Sequence, residues 1–301
     1  MKARHFLQVS SEIIGKHRHR FAVTRMTSST DLQIAVSSFS GGNMADYALD
    51  NSWNRARRRL SLLEQYLDPM TKRRMTALGI HPGLRCLEVG AGGGSVAAWL
   101  CEQVGPTGRV VATDINIQLL QDMRQPNFEA IKHDITVDSP PESDFDFAHS
   151  RWLLHHLPKP EPAIRRMIDA LRPGGWLLLE EVDFFPVHTS TSQLYVDFMV
   201  TLTGKVVRAS GGDCFWARAL PGLVAGMGLR QVGGEGDFSV LQGGSPVAEL
   251  FSLSAEQMRE QIIGSGGLSP KRFDEALELL KSPDFWAFGG GGVAVWGQRP
   301  N

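Results

Sequence analysis

Hydrophobic residues recur along this chain at two spacings, and the alternation of the spacings predicts alternating strands and helices. Five short apolar runs have the length of buried strands, at 85–89, 109–114, 128–131, 145–150 and 176–182. After the first run, apolar residues fall at helical spacing, at Val96, Trp99, Leu100 and Val104. This alternation predicts an α/β fold with a parallel, doubly wound sheet, whose ligands bind at the carboxyl ends of the strands.

Two helices are predicted before the first strand. The first has one apolar stripe, formed by Trp53, Ala56, Leu60, Leu63 and Leu67. Aspartate followed by proline is typical of a helix start, so Asp68 and Pro69 indicate that a second helix begins there. Gly79 would close this second helix.

The first 40 residues differ from the rest in composition. Up to Arg25 there are six lysines and arginines and one acid, Glu12. Three interpretations fit this pattern: a disordered or mis-assigned leader before a true start at Met26, an ordered arm over the active site, or an organellar transit peptide. We therefore divide the chain into this leader at 1–40, a helical cap at 41–80 and the main α/β domain at 81–301.

A glycine-rich turn joins the first strand to the helix that follows. Its sequence at 88–95 is Glu-Val-Gly-Ala-Gly-Gly-Gly-Ser. Glycines permit positive φ and let a ligand approach the N–H groups at a helix start, so the turn predicts a nucleotide site. A dinucleotide fingerprint would need a third small residue where Ser95 stands, and Glu88 would repel a pyrophosphate. Glu88 suits a cationic ligand instead.

Other strand ends supply side chains to the same edge of the sheet. Asp114 ends the second strand 24 residues after Gly90, where a carboxylate can accept both ribose hydroxyls, although a structural strand-end acid is the alternative. Asp134, or the backbone beside it, could bind an adenine amino group or could cap the next turn. Ile115 could lie against the base. The predicted cofactor set is Glu88, Gly90, Ala91, Gly92, Gly94, Asp114, Ile115, Asp134, Ile135 and Ser150.

These residues resemble the motifs of class I S-adenosylmethionine-dependent methyltransferases. The stretch 88–94 resembles the first motif, and Asp114 and Asp134 resemble the acids after strands two and three. The stretches 154–157 and 171–175 are similar to the helix and turn of the small-molecule branch that includes ubiquinone and menaquinone biosynthesis enzymes. The resemblance covers 83–182. It implies S-adenosylmethionine as cofactor and a Rossmann-like sheet of seven strands, the last antiparallel.

The remaining sequence fits the seven-stranded sheet that the resemblance implies. Strand six would use 229–232 and 238–241, and strand seven 292–297. The segments 186–223 and 246–288 are longer than the connections that this sheet needs, so we interpret them as insertions. With the N-terminal helices they would cover the strand ends and form the substrate pocket. Their aromatic residues and methionines suggest an apolar substrate, although core packing explains most of them equally well.

Methyl transfer from a sulfonium is an in-line displacement, so positioning and exclusion of water can supply much of the acceleration. A base is needed only for a poorly acidic acceptor. The candidates near the strand ends are His155, His156, Glu181, Asp183 and His188. We select His155 and Glu181 as the candidate catalytic residues; a structural histidine is the alternative for His155.

Composition excludes several classes of function. A formal net charge of −1 argues against a general nucleic-acid or membrane-surface binder. The three cysteines form no CxxC pair, so we infer neither disulfides nor a zinc site. No uninterrupted apolar stretch is long enough to span a bilayer. The stretch 139–142, Ser-Pro-Pro-Glu, lies before the fourth strand and lacks the final aromatic of the tetrad found in amino-methylating nucleic-acid enzymes.

The sequence thus predicts a cytoplasmic, metal-independent enzyme that methylates O, C or N of a small, hydrophobic metabolite such as a secondary metabolite, quinone precursor or lipid. Its expected partner is this small-molecule substrate. A homodimer stays open as an alternative to a monomer. Two other classes stay open: a protein of the same fold that uses the cofactor without transfer, as a cyclase or scaffold, and an NAD-dependent oxidoreductase.

Overall fold

The computed structural model describes Leu49 and residues 53–301, and a seven-stranded sheet forms its centre. The strands are β1 (Arg85–Val89), β2 (Arg109–Asp114), β3 (Phe128–Lys132), β4 (Phe145–Arg151), β5 (Leu171–Asp183), β6 (Arg230–Gln242) and β7 (Trp286–Gln298). Their order is β3-β2-β1-β4-β5-β7-β6, and β7 is antiparallel to both of its neighbours. The predicted doubly wound, Rossmann-like sheet with an antiparallel last strand is confirmed. The leader predicted at 1–40 lies outside the described residues.

Helices cover both faces of the sheet. They are α1 (Ala56–Ala77), α2 (Ser95–Val104), α3 (Glu161–Ala170), α4 (Gln193–Val200), α5 (Val207–Ala209), α6 (Leu220–Gly226), α7 (Pro246–Gln257), α8 (Arg259–Gly264) and α9 (Pro270–Lys281). Short 3-10 turns lie at Gln118–Leu120, Leu154–His156, Phe185–Thr189 and Ala217–Ala219, and a π-helical turn at Thr201–Val206 connects α4 to α5. No described helix combines the length and the apolar character that crossing a membrane requires.

Alternation along the strands divides the core between the two faces. In β1, Leu87 packs with α3 and α6, whereas its neighbour Cys86 packs with α2 and with Met75 of α1. A third apolar cluster joins α4, α7, α8 and α9 to the end of β5 at Val182. The segments predicted as insertions therefore contain their own buried core.

The prediction of two helices before β1 is wrong, because α1 runs without a break from Ala56 to Ala77 and contains Pro69. An interior proline removes one helical hydrogen bond, but Asp68 does not act as a cap here. Its Oδ1 accepts hydrogen bonds from Ser95 Oγ at 2.9 Å and from Arg151 Nη2 at 3.0 Å. These tertiary contacts hold the middle of the helix against α2 and β4. Gly79, at φ +90°, follows its end, where a stop was predicted.

Strand six is also longer than predicted. The sequence indicated two short pieces, but β6 is continuous through Gly233, Gly234 and Gly236. A Cβ on Gly233 would lie 2.6 Å from Nε1 of Trp296, its partner on β7. Gly233 thus makes room for the indole of Trp296 on the neighbouring strand. The apolar periodicity of β6 alone cannot indicate such a contact between strands.

Candidate active site

A cleft of about 890 Å³ opens at the carboxyl ends of β1, β2 and β4. This size is in the range of pockets that enclose small molecules and cofactors. One end, which we call the loop end, is lined by 90–93, 114–116 and 133–136. The other end, the lid end, is lined by apolar residues of the two insertions together with His155 and His156.

The glycine turn is held against β2 at the loop end. The N–H groups of Gly90 and Ala91 donate to the carbonyl of Thr113 at 2.8 and 3.1 Å. Gly90 has a φ of +73°, and a Cβ at this position would lie 3.1 Å from Leu153. A side chain there would narrow the cleft between the turn and Leu153, so glycine is required both for the backbone and for the space.

Asp114 extends from β2 into the cleft. Its Oδ2 accepts from the N–H of Gly92 and its Oδ1 from the N–H of Asn116, both at 2.9 Å. Burial raises the pKa of this carboxyl, while these backbone hydrogen bonds oppose the rise. Two backbone donors therefore fix the carboxylate, and its remaining acceptor positions are available to a ligand in the cleft.

The residues predicted to surround a base also line the loop end. Ile115 lines the cleft and is 39% exposed, so its side chain is open to a ligand there. Asp134 Oδ1 accepts from the backbone N–H and the hydroxyl of Thr136 at 2.9 and 2.6 Å. Asp134 thus caps the following turn, as the alternative interpretation expected, and still lines the cleft beside Ile135.

Three of the predicted site residues do not line the cleft. Gly94 immediately precedes α2, and a Cβ on it would collide with Leu120 and Met123. Ser150 is fully buried within the sheet, between Val89 of β1 and β5. Glu181 is also fully buried and holds neighbouring backbone instead of facing the cavity.

Glu181 and His155, predicted separately, form one hydrogen-bonded pair. Glu181 accepts from the backbone N–H groups of Leu153, Leu154 and His155 at 3.0, 2.7 and 3.2 Å. Its Oε2 also lies 2.7 Å from Nδ1 of His155. Because a carboxylate accepts, Nδ1 carries the proton, and Nε2 is the ring nitrogen that can accept another. Glu181 thus positions His155 as well as the turn that carries it.

A buried chain of charges lies beneath the glycine turn. His149 is fully buried between two carboxylates, with Nδ1 2.7 Å from Glu88 and Nε2 3.0 Å from Glu180. Burial alone lowers the pKa of His149, but the adjacent carboxylates outweigh it and raise the pKa to about 9. Burial likewise acts to raise the pKa of Glu180, whereas His149, Thr71 and Arg74 lower it to about 2. His149 is therefore an imidazolium at neutral pH.

This chain of charges continues along α1 toward β6, at the edge of the sheet. Arg74 contacts Glu180, Glu235 and Asp237, and Thr71 donates to Glu180 at 2.5 Å. Sequence reasoning did not predict the charge pairs that His149 and Arg74 form. The available signal was a histidine inside the predicted strand at 145–150, but its partner Glu88 becomes evident only when β1 is paired with β4.

The lid end combines apolar walls with the two histidines. The apolar residues that line this end include Phe184, Leu202, Val207, Leu250, Phe251 and Met258. The rings of His155 and His156 lie 3.9 Å apart between centroids. Burial, followed by the charges of His155 and Arg59, holds the pKa of His156 well below its usual range. The pocket therefore presents a neutral imidazole to whatever occupies it.

Comparison with known proteins identifies the family. The sequence profile of the methyltransferase-domain family matches residues 53–220, more than half of the chain. The chain belongs to this family. It is a class I S-adenosylmethionine-dependent methyltransferase, as the motifs had suggested, and S-adenosylmethionine is its cofactor.

Two curated relatives show how far the similarity extends. The methyltransferase is 32% identical over 140 residues to the ubiquinone/menaquinone biosynthesis C-methyltransferase UbiE of Pseudomonas fluorescens (strain SBW25), covering 43% of this chain and 54% of that protein. It is 27% identical over 215 residues to methyltransferase str2 of Strobilurus tenacellus, covering 69% of this chain and 75% of that protein. The match thus spans about half the length of the UbiE relatives.

Solved structures show the same fold. A protein from Bacillus halodurans C-125 superposes with a TM-score of 0.53 at 15% identity, covering 76% of this chain and 98% of that chain. The YcgJ protein from Bacillus subtilis superposes with a TM-score of 0.52 at 15% identity, covering 76% and 97%. At this identity the likeness concerns the fold of the methyltransferase alone.

The loop end fits the cofactor of the family on its own chemistry. A fixed carboxylate at Asp114 suits ribose hydroxyls, and the exposed side chain of Ile115 offers an apolar surface to adenine. The carboxylate of Glu88 also lines the cleft, where it suits a cation such as a sulfonium. Among the described residues, no group of three or more histidine, cysteine or acidic side chains is arranged to hold a metal ion.

Proposed function

We propose that this protein transfers a methyl group from S-adenosylmethionine to an oxygen, carbon or nitrogen of a small hydrophobic metabolite. The observation that carries the proposal is that the loop end and the lid end belong to one continuous cleft. A cofactor held by Asp114 and the glycine turn would share that cleft with an acceptor in the apolar lid end. Transfer needs this proximity more than it needs any single reactive side chain.

The apolar lid end supports a hydrophobic acceptor. Phe184, Phe251 and Met258 are among the apolar residues that line it, and apolar walls exclude water from the reacting groups. The UbiE relatives are named for ubiquinone and menaquinone biosynthesis, and quinone precursors are hydrophobic. We therefore infer that the acceptor is a quinone precursor, a secondary metabolite or a lipid.

The bound cofactor supplies an electrophilic methyl group on a sulfonium, and the protein has to place the acceptor and manage its proton. His155 lines the cleft, with Nδ1 held by Glu181. Its Nε2 can therefore take the proton of a weakly acidic acceptor. Glu181 acts as a positioning residue, because it fixes the ring and the backbone turn without reaching the cleft.

The proposal is tested with S-adenosylmethionine labelled in its methyl group and a small-molecule extract of the cells that make the protein. We expect S-adenosylhomocysteine to form together with labelled product that partitions into organic solvent. Candidate quinols, phenolic polyketides and lipids, added singly, would then identify the acceptor by product mass. The Asp114→Ala variant serves as the control for cofactor-dependent signal.

Other outcomes would contradict separate parts of the proposal. Label recovered only in the aqueous phase would refute a hydrophobic acceptor. A product that forms without S-adenosylhomocysteine would refute transfer and favour a cyclase or scaffold role. Saturable binding of NAD with no binding of S-adenosylmethionine would refute the cofactor assignment.

A further inference from the structure

Helix α1 places an acidic side chain directly over the glycine turn. The α1 residues that line the cleft with 90–93 are Arg59, Leu60, Leu63 and Glu64. Leu60 lies close enough that its Cδ2 would be 3.7 Å from a Cβ on Gly92. Glu64 is thus the acidic residue that α1 contributes to the wall of the cleft.

The carboxylate of Glu64 has an acceptor with no donor. Its Oε1 is buried from solvent and accepts no hydrogen bond from the described part of the chain. A Cβ on Gly93 would collide with this same oxygen. The absence of a side chain at Gly93 therefore leaves room for the Glu64 carboxylate, but it provides no hydrogen-bond donor to Oε1. A buried acceptor without a donor is costly, so such groups commonly mark a place where a ligand binds.

The local charges also leave Glu64 without a full counter-charge. Burial raises the pKa of Glu64, and Asp68, one turn further along α1, raises it again. Hydrogen bonding to Ser95 and the charge of Arg151 oppose the rise without cancelling it. Arg151 itself is paired with Asp68 at 3.0 Å. A cation placed against Glu64 would relieve this imbalance.

We propose that Glu64 binds the α-amino group of the methionine moiety of the cofactor. The inference rests on the proposed function, because it requires the cofactor in this cleft. An unsatisfied carboxylate oxygen calls for an N–H donor with positive charge, and the sulfonium has no N–H to donate. The adenine amino group belongs with Asp134 and the ribose with Asp114, at the other strand ends. The α-ammonium is the cationic donor that remains.

Calorimetric binding of two ligands tests the assignment without relying on turnover. The ligands are S-adenosylhomocysteine and its analogue that lacks the α-amino group. We expect the wild-type protein to prefer S-adenosylhomocysteine by about tenfold or more, as for a charged hydrogen bond. In Glu64→Gln the preference should fall to within about threefold. Asp114→Ala is the matched control, since it should weaken both ligands alike and leave the preference unchanged.

The outcomes separate the inference from the proposed function. An unchanged preference in Glu64→Gln would overturn the inference even if its melting temperature fell, because Glu64 would then only stabilise the start of α2. Failure of the wild type to bind either ligand would overturn the cofactor assignment itself. If Glu64→Gln does not fold, Glu64→Asp serves instead. It keeps the charge but withdraws it by one methylene, and it should also reduce the preference; an unchanged preference would again refute the role.

Discussion

The charge on His149 should make the stability of this protein depend on pH in a specific way. The imidazole is fully buried between Glu88 and Glu180, and the pKa of about 9 lies above the ordinary value of 6.5. A raised pKa means that the folded protein holds the proton more tightly than the unfolded chain does. The stabilisation is therefore complete below about pH 6.5 and is lost as the pH rises through about 9.

The size of the effect follows from the two pKa values. The difference between about 9 and 6.5, at ~1.4 kcal/mol per pH unit, corresponds to unfolding free energy on the order of 3 kcal/mol. Most of this stabilisation should disappear between about pH 7 and pH 10. This is a large share of the ~5–15 kcal/mol that stabilises a typical domain.

Urea unfolding of wild type and His149→Gln over this pH range would measure the effect. We expect the difference in unfolding free energy between the two proteins to shrink by the stated amount as the pH rises. The variant should be less stable at neutral pH, because two buried carboxylates lose their shared cation. His81→Gln, at an exposed histidine, should keep the wild-type pH profile. A wild-type profile that runs parallel to that of His149→Gln would refute the buried imidazolium.

Three further predictions concern the cleft and the residue that positions His155. Asp114→Ala should weaken S-adenosylhomocysteine binding by about 1–3 kcal/mol, since a ligand hydroxyl would lose its acceptor; unchanged affinity by calorimetry would remove Asp114 from the ribose role. His155→Gln should lower kcat while leaving the affinity for S-adenosylhomocysteine intact, and equal turnover would make His155 structural. Glu181→Gln should lower both kcat and the melting temperature, because Glu181 accepts from three backbone N–H groups as well as from His155.

The sheet and the loop end could be predicted because their signals are local. The strand at 85–89, the glycine turn and the carboxylate at Asp114 lie within 30 residues of one another, and each follows from backbone requirements. The predicted length of β6 failed where Gly233 packs against the indole of Trp296 on another strand. The break predicted at Pro69 failed because Asp68 is bound by Ser95 and Arg151.

The side chains that link the elements could not be predicted, since their partners lie far apart in the sequence. Arg74 and Glu180 are separated by 106 residues, and His149 and Glu88 by 61. An arginine in a basic stretch of α1 is indistinguishable by pattern from an exposed one. Arg73, beside it, has a side chain that is 59% exposed, whereas that of Arg74 is 6% exposed. Only the packing of α1 on the sheet separates the two.

Helix α1 therefore does more than cover the strand ends, which is the role that its apolar stripe predicted. Within three turns it brings Glu64 to the glycine turn, Asp68 to α2 and β4, and Thr71 to Glu180. Glu180 in turn holds His149, which holds Glu88 at the cleft. The helix that completes the wall of the cofactor cleft is thus anchored to the same charged residues that lie beneath it. Substitutions at Thr71 or Arg74, distant from any ligand, should for this reason reduce cofactor affinity together with stability.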